Sequence, residues 1–231
     1  MATPLDSADQ EQVDDLKYFW KSYGTLITSL LLLAAVAYAG WTGWQYMQRS
    51  KVAQSAALYD EIDRGAQAGE MDRVQKSFEQ MKEKFAATSY AQQAGLAVAK
   101  VQHENGNQEA SRAALGWVAE HAVDPAYQAL AKLRLSGELM DAKSYDEALK
   151  QLTGSFPKEF EPLVFDRKGD IFVVQGKRDE AQAEYKKALA AFGPTDGYRR
   201  LVEVKLNAVG VDPTTLTASA ANAASAAKAT P

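Results

Sequence analysis

Residues 22 to 48 form an unbroken run without a single Asp, Glu, Lys or Arg. A chain must either bury such a run in a core or place it in a bilayer. Its centre, GTLITSLLLLAAVAYAGWTGWQYM, occupies positions 24–47. As a helix rising about 1.5 Å per residue it reaches roughly 36 Å, enough to cross a hydrocarbon layer of about 30 Å. Tyr18, Phe19, Trp20 and Tyr23 flank one end, and Trp41, Trp44 and Tyr46 the other. Amphipathic rings favour the headgroup level, so the two clusters read as interfacial belts. A core helix of a soluble domain rarely stays uncharged for so long. A cleaved signal peptide needs a basic start and a shorter apolar core, whereas this chain starts acidic. The expectation is one transmembrane helix over 22–48, with the lipid bilayer as its first partner.

Flanking charge leaves the orientation open. Lys17 and Lys21 precede the span; Arg49 and Lys51 follow it. The positive-inside comparison is a tie. Within the span, Ala35, Ala39 and Gly43 fall at i, i+4 and i+8 on one face. Small residues there would let another membrane helix approach closely.

The formal net charge of the 231 residues is −4. Residues 1–21 hold five carboxylates against two lysines, so the rest of the chain is nearly neutral. Nucleic-acid binding calls for a concentrated basic face, and none is present. Cysteine is absent, which excludes disulfides, thiolate catalysis and Cys-based metal sites.

From residue 50 onward, apolar positions recur at three- and four-residue spacing, and no run alternates as a strand would. Breakers divide the pattern at Gly65 and Gly69, Asn105–Asn107, Asp124–Pro125, Gly154–Pro157, Gly176 and Gly193–Pro194. Similar text follows four of the turns: GEMDRVQKSFEQM, GNQEASRAALGWV, KSYDEALKQL and GKRDEAQAEYKKAL. Taking Val74, Ala110, Ala148 and Ala181 as equivalent small positions, the offsets are 36, 38 and 33 residues. A period near 34 built from two helices is the tetratricopeptide signature. The last unit carries it most clearly, in Phe165, Gly169, Phe172, Ala181, Tyr185 and Ala188. Leu135, Ser136, Leu139, Ala148 and Leu152 match in part. Val74 and Phe78, then Ala110 and Leu115, are remnants in the first two units. A final helix over about Asp196–Val209, with Tyr198, Leu201, Val202 and Leu206 on one side, is expected to cap the stack. The fold class predicted is all-α: a single N-terminal transmembrane helix followed by a tetratricopeptide-like α-solenoid. The expected segments are 1–21 acidic, 22–48 transmembrane, 49–210 repeat domain and 211–231 tail. The tail is almost all small residues after Leu216 and is expected to be disordered, or else a weak Ala-rich helix.

No catalytic pattern emerges. His103 and His121 lack partners at metal-ligand spacing and are expected to be solvated. Serines occur without a nucleophile elbow, and no Gly-rich phosphate loop follows a strand. Asp146–Glu147 and Asp179–Glu180 sit in the first turns of helices, where they favour the helix dipole. No enzyme activity, metal, cofactor or small-molecule substrate is expected. What remains is protein binding. Stacked helix pairs curve, and their first helices line a concave groove. Repeat geometry assigns Leu163, Asp166, Asp170 and Val173 to that groove in the clearest unit, and Leu130, Leu133 and Met140 in the unit before.

The acidic N-terminal segment, the DLKYFWKSYG junction, one span, a degenerate repeat domain and a terminal DGYRRLVEVKLNAV helix together resemble the YfgM family, the ancillary subunit of the bacterial SecYEG translocon. The resemblance covers residues 10 to 210 and is most specific at the membrane junction. It implies a single-pass inner-membrane protein of a Gram-negative bacterium, N-terminus in the cytoplasm and repeat domain in the periplasm. It implies association with the SecYEG translocon and with the membrane-anchored periplasmic chaperone PpiD, in a role passing emerging secretory proteins to periplasmic chaperones. It carries over no catalytic residue, and the Ala-rich tail has no counterpart in it. Two other readings stay open on the residues alone. One is a tethered repeat adaptor for another envelope machine, in cytochrome maturation, outer-membrane assembly or cell division. The other is an enzyme with a site scattered over the helices, which a bound metal or cofactor would mark.

Overall fold

The computed structural model describes residues 7–193 and 195–214, with side chains from Lys17 onward. The expected disorder of the tail concerns, for residues 215–231, positions outside those described. All regular structure among the described residues is helical: α1 (Ser7–Ala68), α2 (Met71–Phe85), α3 (Ser89–Glu104), α4 (Gln108–His121), α5 (Pro125–Asp141), α6 (Tyr145–Gln151), α7 (Glu161–Val174), α8 (Arg178–Ala191) and α9 (Arg199–Ala208). The chain divides into two units, Met1–Ala53 and Gln54–Pro231.

The N-terminal unit holds the apolar span, the one helix among the described residues long and apolar enough to cross a membrane. Its aliphatic side chains point outward: Leu30 to Leu33 are each more than half exposed. Hydroxyls within the span bond to their own helix. Thr28 Oγ1 donates to the Gly24 carbonyl at 2.8 Å, Ser29 Oγ to Thr25 at 2.7 Å and Thr42 Oγ1 to Tyr38 at 3.0 Å. Lipid offers no partners, so this internal satisfaction makes these polar residues tolerable in a span. Phe19 lies against Tyr23 at 5.2 Å, and Trp41 against Trp44 at 5.7 Å between ring centroids. The helix does not end with the apolar run at residue 48: α1 continues to Ala68. No proline interrupts the chain between Pro4 and Pro125, and the last turns of α1 serve as the first helix of the repeat unit.

Helical hairpins build the second unit: the end of α1 with α2, α3 with α4, α5 with α6, and α7 with α8. Each first helix ends in the same turn. Gly69, Gly106, Lys143 and Gly176 have φ of 72°, 79°, 61° and 75°. At each, the next N–H reaches back five residues, as Asn107 N–H does to the Gln102 carbonyl at 2.8 Å and Ser144 N–H to Leu139 at 2.9 Å. This closes the helix as a Schellman motif, which needs a left-handed residue and therefore favours glycine. Lys143 is the one non-glycine with positive φ among the described residues.

These turns correct the repeat register. They are spaced 37, 37 and 33 residues apart, not 36, 38 and 33. Five residues after each lie Val74, Ser111, Ala148 and Ala181, all fully buried, whereas Ala110 is only half-buried. The equivalent of the small apolar position is thus Ser111. Its hydroxyl is satisfied by the Ala99 carbonyl at 2.8 Å, so a polar residue occupies a buried site without an unpaired group.

Three apolar clusters fill successive layers. The first joins the end of α1 with α2, α3, α4 and one face of α5, centred on Phe78, Met81 and Val118. The second joins α5, α6 and α7 through Leu133, Leu152 and Ile171. The third joins α8 with α9 through Tyr185, Leu189, Val202 and Leu206, and Phe165 and Phe172 of α7 pack against it. Layering of this kind is how a repeat fold propagates one core. In α9 the inward face is Val202 and Leu206; Tyr198, one turn before Val202, is partly exposed but turns its hydroxyl inward to Asp166, and Leu201, expected beside them, is exposed. The helix ends at Gly210, φ 85°, in the same turn, with Val211 N–H on the Leu206 carbonyl at 2.9 Å. Val211 packs on the third cluster, so ordered packing continues past the expected boundary at 210.

Candidate partner-binding groove

Short turns force neighbouring helices to run in opposite directions, so the first helices α3, α5 and α7 run alike. Together they line a groove of about 360 Å³. Its side chains include Lys100 and His103 of α3, Arg134 and Glu138 of α5, and Arg167 of α7. Gly137 gives it room: a Cβ there would stand 3.1 Å from Arg167 Nη1, so the missing side chain lets the guanidinium lie against α5. Arg134 and Arg167 are 33 residues apart, the spacing of the Lys143 and Gly176 turns. They are therefore equivalent positions on successive helices.

Glu138 sits at the floor. Its Oε1 is 2.5 Å from Ser111 Oγ and 3.3 Å from His103 Nδ1. Ser111 has one proton, so it donates either to Glu138 or to the Ala99 carbonyl at a given moment. The other carboxylate oxygen, Oε2, is buried with no hydrogen-bond partner. Lys100 approaches Glu104 at 3.8 Å. Among the described residues no carboxylate lies within ion-pair distance of Arg134 or Arg167.

The seven residues assigned to a groove from repeat geometry fall elsewhere. Leu130 packs on the first cluster. Leu133 is buried in the second, and Met140 and Leu163 pack against it. Val173 is exposed. Asp166 and Asp170 form a polar junction with α8 and α9. Lys205 Nζ reaches both oxygens of Asp166 at 2.8 Å and Asp170 Oδ1 at 2.8 Å. The Tyr198 hydroxyl donates to Asp166 Oδ2 and the Tyr185 hydroxyl to Asp170 Oδ1, each at 2.8 Å. Burial, then the bond to Asp170, pushes the Tyr185 hydroxyl far above its ordinary range. Tyr198 is raised in the same way by burial and Asp166. Both act as neutral donors to carboxylates that Lys205 neutralises. This junction locks α9 onto α7 and α8; it has the character of packing, not of an open site.

The displacement has a simple cause. Arg134 and Arg167 follow Leu133 and Asp166 by one residue, and one residue turns a helical side chain by about 100°. The residues assigned by repeat position and the residues that line this groove thus lie on different faces of α5 and α7. Both histidines are exposed, as expected, and each also has a neighbour: His103 faces Glu138, and His121 stacks on Trp117 at 5.3 Å with Nδ1 3.0 Å from the Trp117 carbonyl. No group of three or more His, Asp or Glu side chains among the described residues could hold a metal ion.

Ala35, Ala39 and Gly43 lie exposed on the span. A Cβ built at Gly43 meets nothing within 4 Å.

A sequence model of the tetratricopeptide repeat-like domain family matches residues 17–211. The chain is similar to a Neisseria gonorrhoeae protein described as an ancillary SecYEG translocon subunit, 31% identical over 90% of this chain and 100% of that one. Proteins with the same description are similar from Haemophilus influenzae, at 26% identity over 86% and 96% of the two chains, and from Escherichia coli, at 22% over 88% and 97%.

Proposed function

This chain belongs to the YfgM family of ancillary SecYEG translocon subunits, and on that premise we propose that it is a membrane-tethered, non-catalytic adaptor that binds proteins at the Sec translocon. In this reading it is a single-pass protein of the bacterial inner membrane, with the N-terminal segment in the cytoplasm and the repeat unit in the periplasm. The repeat unit engages a PpiD-like membrane-anchored chaperone and helps pass emerging secreted proteins to periplasmic chaperones. The observation that carries the reading is an open groove, lined by the first helices of three successive repeats, in a chain whose other unit is a membrane span. Exposure of Ala35, Ala39 and Gly43 supports a helix contact with a membrane partner on that face.

Co-purification in mild detergent tests the partners. The full-length protein should recover SecYEG and a PpiD-like chaperone, and Ala39→Ile with Gly43→Ile should reduce that recovery. Failure to recover either while both are detectable in the extract would count against the adaptor role. Reporters active only in the periplasm or only in the cytoplasm, fused after residue 214, test the topology; a cytoplasmic signal removes periplasmic chaperones from consideration.

A further inference from the structure

We propose that Asn105–Gly106 is a site of spontaneous covalent modification, deamidation through a cyclic imide, which the closed turn between α3 and α4 holds off and which opening of that turn releases. The inference stands apart from the adaptor reading and concerns the chemistry of the chain itself.

Asparagine is among the chemically labile residues, and of Asn105, Asn107, Asn207 and Asn222 only Asn105 precedes a glycine. The reaction begins when the backbone nitrogen of the next residue loses its proton to water and attacks the asparagine Cγ. A side chain on that next residue crowds the approach, and glycine has none. The N–Cγ bond forms, the Cγ–Nδ2 bond breaks, and the amide nitrogen leaves as ammonia with a proton taken from water. Water then opens the imide at either carbonyl. The products are aspartate and isoaspartate, whose main chain runs through Cβ and Cγ. Residues 103–109 are all exposed, so water has access.

Three features of the folded turn oppose the attack. The nucleophile is occupied: Gly106 N–H donates to the His103 carbonyl at 2.9 Å. The leaving amide is tethered: Asn105 Nδ2 donates to the Val101 carbonyl at 2.8 Å, which holds Cγ over the last turn of α3. The torsion is wrong as well. Ring closure needs the Gly106 nitrogen to eclipse Cβ about the Cα–C bond of Asn105. At ψ of 5° it eclipses the Asn105 nitrogen instead, and Cβ stands well round from it on the tetrahedral Cα. Reaching the reactive geometry therefore means breaking the turn, including the Asn107 N–H bond to the Gln102 carbonyl at 2.8 Å. Local opening is how folded chains expose protected backbone. The modification does not reverse. A carboxylate at 105 sits beside Glu104 at the C-terminal carbonyls of α3, the unfavourable end of a helix for negative charge. The longer isoaspartyl backbone cannot keep both turn bonds. A repeat unit that has opened here is left with a weakened α3–α4 hairpin.

The test incubates full-length protein in detergent beside the synthetic peptide Val101–Arg112, in which no turn is held, in the same buffer. Trypsin releases the same segment from the protein, after Lys100 and Arg112. Mass spectrometry reads the exchange of ammonia for water against a zero-time digest, and fragment ions assign it to 105 or 107. In the peptide Asn105 should deamidate while Asn107, shielded by the Gln108 side chain, lags behind. In the folded protein the Asn105 rate should be lower by about tenfold or more. In urea, once circular dichroism shows the helices lost, the protein should regain the peptide's rate. A folded-protein rate matching that of the peptide would overturn the protection by the turn. Absence of deamidation at Asn105 in both peptide and unfolded protein, or equal rates at Asn105 and Asn107, would overturn the site.

Discussion

Replacing Gly169 with alanine should destabilise the repeat unit, although alanine is the better helix former. An ideal Cβ at Gly169 would lie 2.4 Å from Tyr185 Cε1 and 2.5 Å from Cδ1. Carbon atoms rest about 3.5–4.0 Å apart, so the ring must recede by about 1 Å or more. It has nowhere to go: Tyr185 is almost fully buried, and its hydroxyl is anchored on Asp170 at 2.8 Å. Overpacking costs about 1–3 kcal/mol, and losing the hydroxyl bond costs about 1 kcal/mol more. The helix-propensity gain returns about 1 kcal/mol, leaving a net loss near 2 kcal/mol. In a unit of roughly 160 residues that lowers the melting temperature by about 4–8 °C. Gly116→Ala is the control. It lies inside α4, and a Cβ there meets nothing within 4 Å, so only the propensity gain remains and stability should rise by up to about 1 kcal/mol. Two of the three earlier repeats suggest a rescue; the first repeat, with Ile62 and Phe78 at the positions of Gly169 and Tyr185, pairs two large residues. In the other two the equivalents are Ala99 and Leu115, then Ser136 and Leu152; a larger residue on the first helix accompanies a smaller one on the second. Tyr185→Leu in the Gly169→Ala background should therefore recover part of the loss. Thermal unfolding of full-length protein in detergent, followed by circular dichroism, measures all three variants. A Gly169→Ala protein as stable as its parent would refute the packing argument.

Lys143→Gly should stabilise by up to about 1 kcal/mol, because φ of 61° strains a lysine and suits a glycine, less the entropy glycine gains on unfolding; urea midpoints would show it. Lys205→Met leaves the buried Asp166 carboxylate with the Tyr198 hydroxyl alone and should cost about 3 kcal/mol or more, read in the same urea titrations. Tyr185 and Tyr198 are raised in the folded state above their usual 10.0. Their contribution is fully present below pH 10 and declines as pH rises beyond it, since only the unfolded chain then releases those protons. Melting temperature should fall more steeply above about pH 10 in the parent than in a Tyr185→Phe, Tyr198→Phe variant.

Much of the architecture was legible because its determinants are local. An uncharged stretch flanked by aromatic clusters needs no tertiary context to mark a span, and a left-handed glycine followed by an amphipathic helix marks a hairpin wherever it falls. The gaps arose where one residue decided between two faces. Ala110 passed for the buried position because it is small and apolar, while Ser111 beside it is buried with its hydroxyl bonded to the Ala99 carbonyl. Leu133 and Asp166 passed for groove residues by repeat position, while Arg134 and Arg167 line the groove. Asp166 illustrates why: its partner Lys205 is 39 residues away, on a helix with no obvious complement to it in the repeat pattern. His103 and Glu138 likewise meet only because α3 and α5 stack.

Sequence by itself determined that this chain carries one apolar span and a helical repeat unit with turns at Gly69, Gly106, Lys143 and Gly176. Hydrophobic run length, backbone handedness and helical periodicity act over a few turns of chain and are written there directly. Only the tertiary structure decided that Arg134 and Arg167 share a groove, that Asp166 closes onto α9 through Lys205 and Tyr198, and that Leu201 is exposed on α9. Those outcomes depend on how each helix is rotated about its axis when it packs on the next. A side chain turns by about 100° with every residue, so the rotation is settled by the fit of buried volumes across the stack, not by the pattern along any one helix.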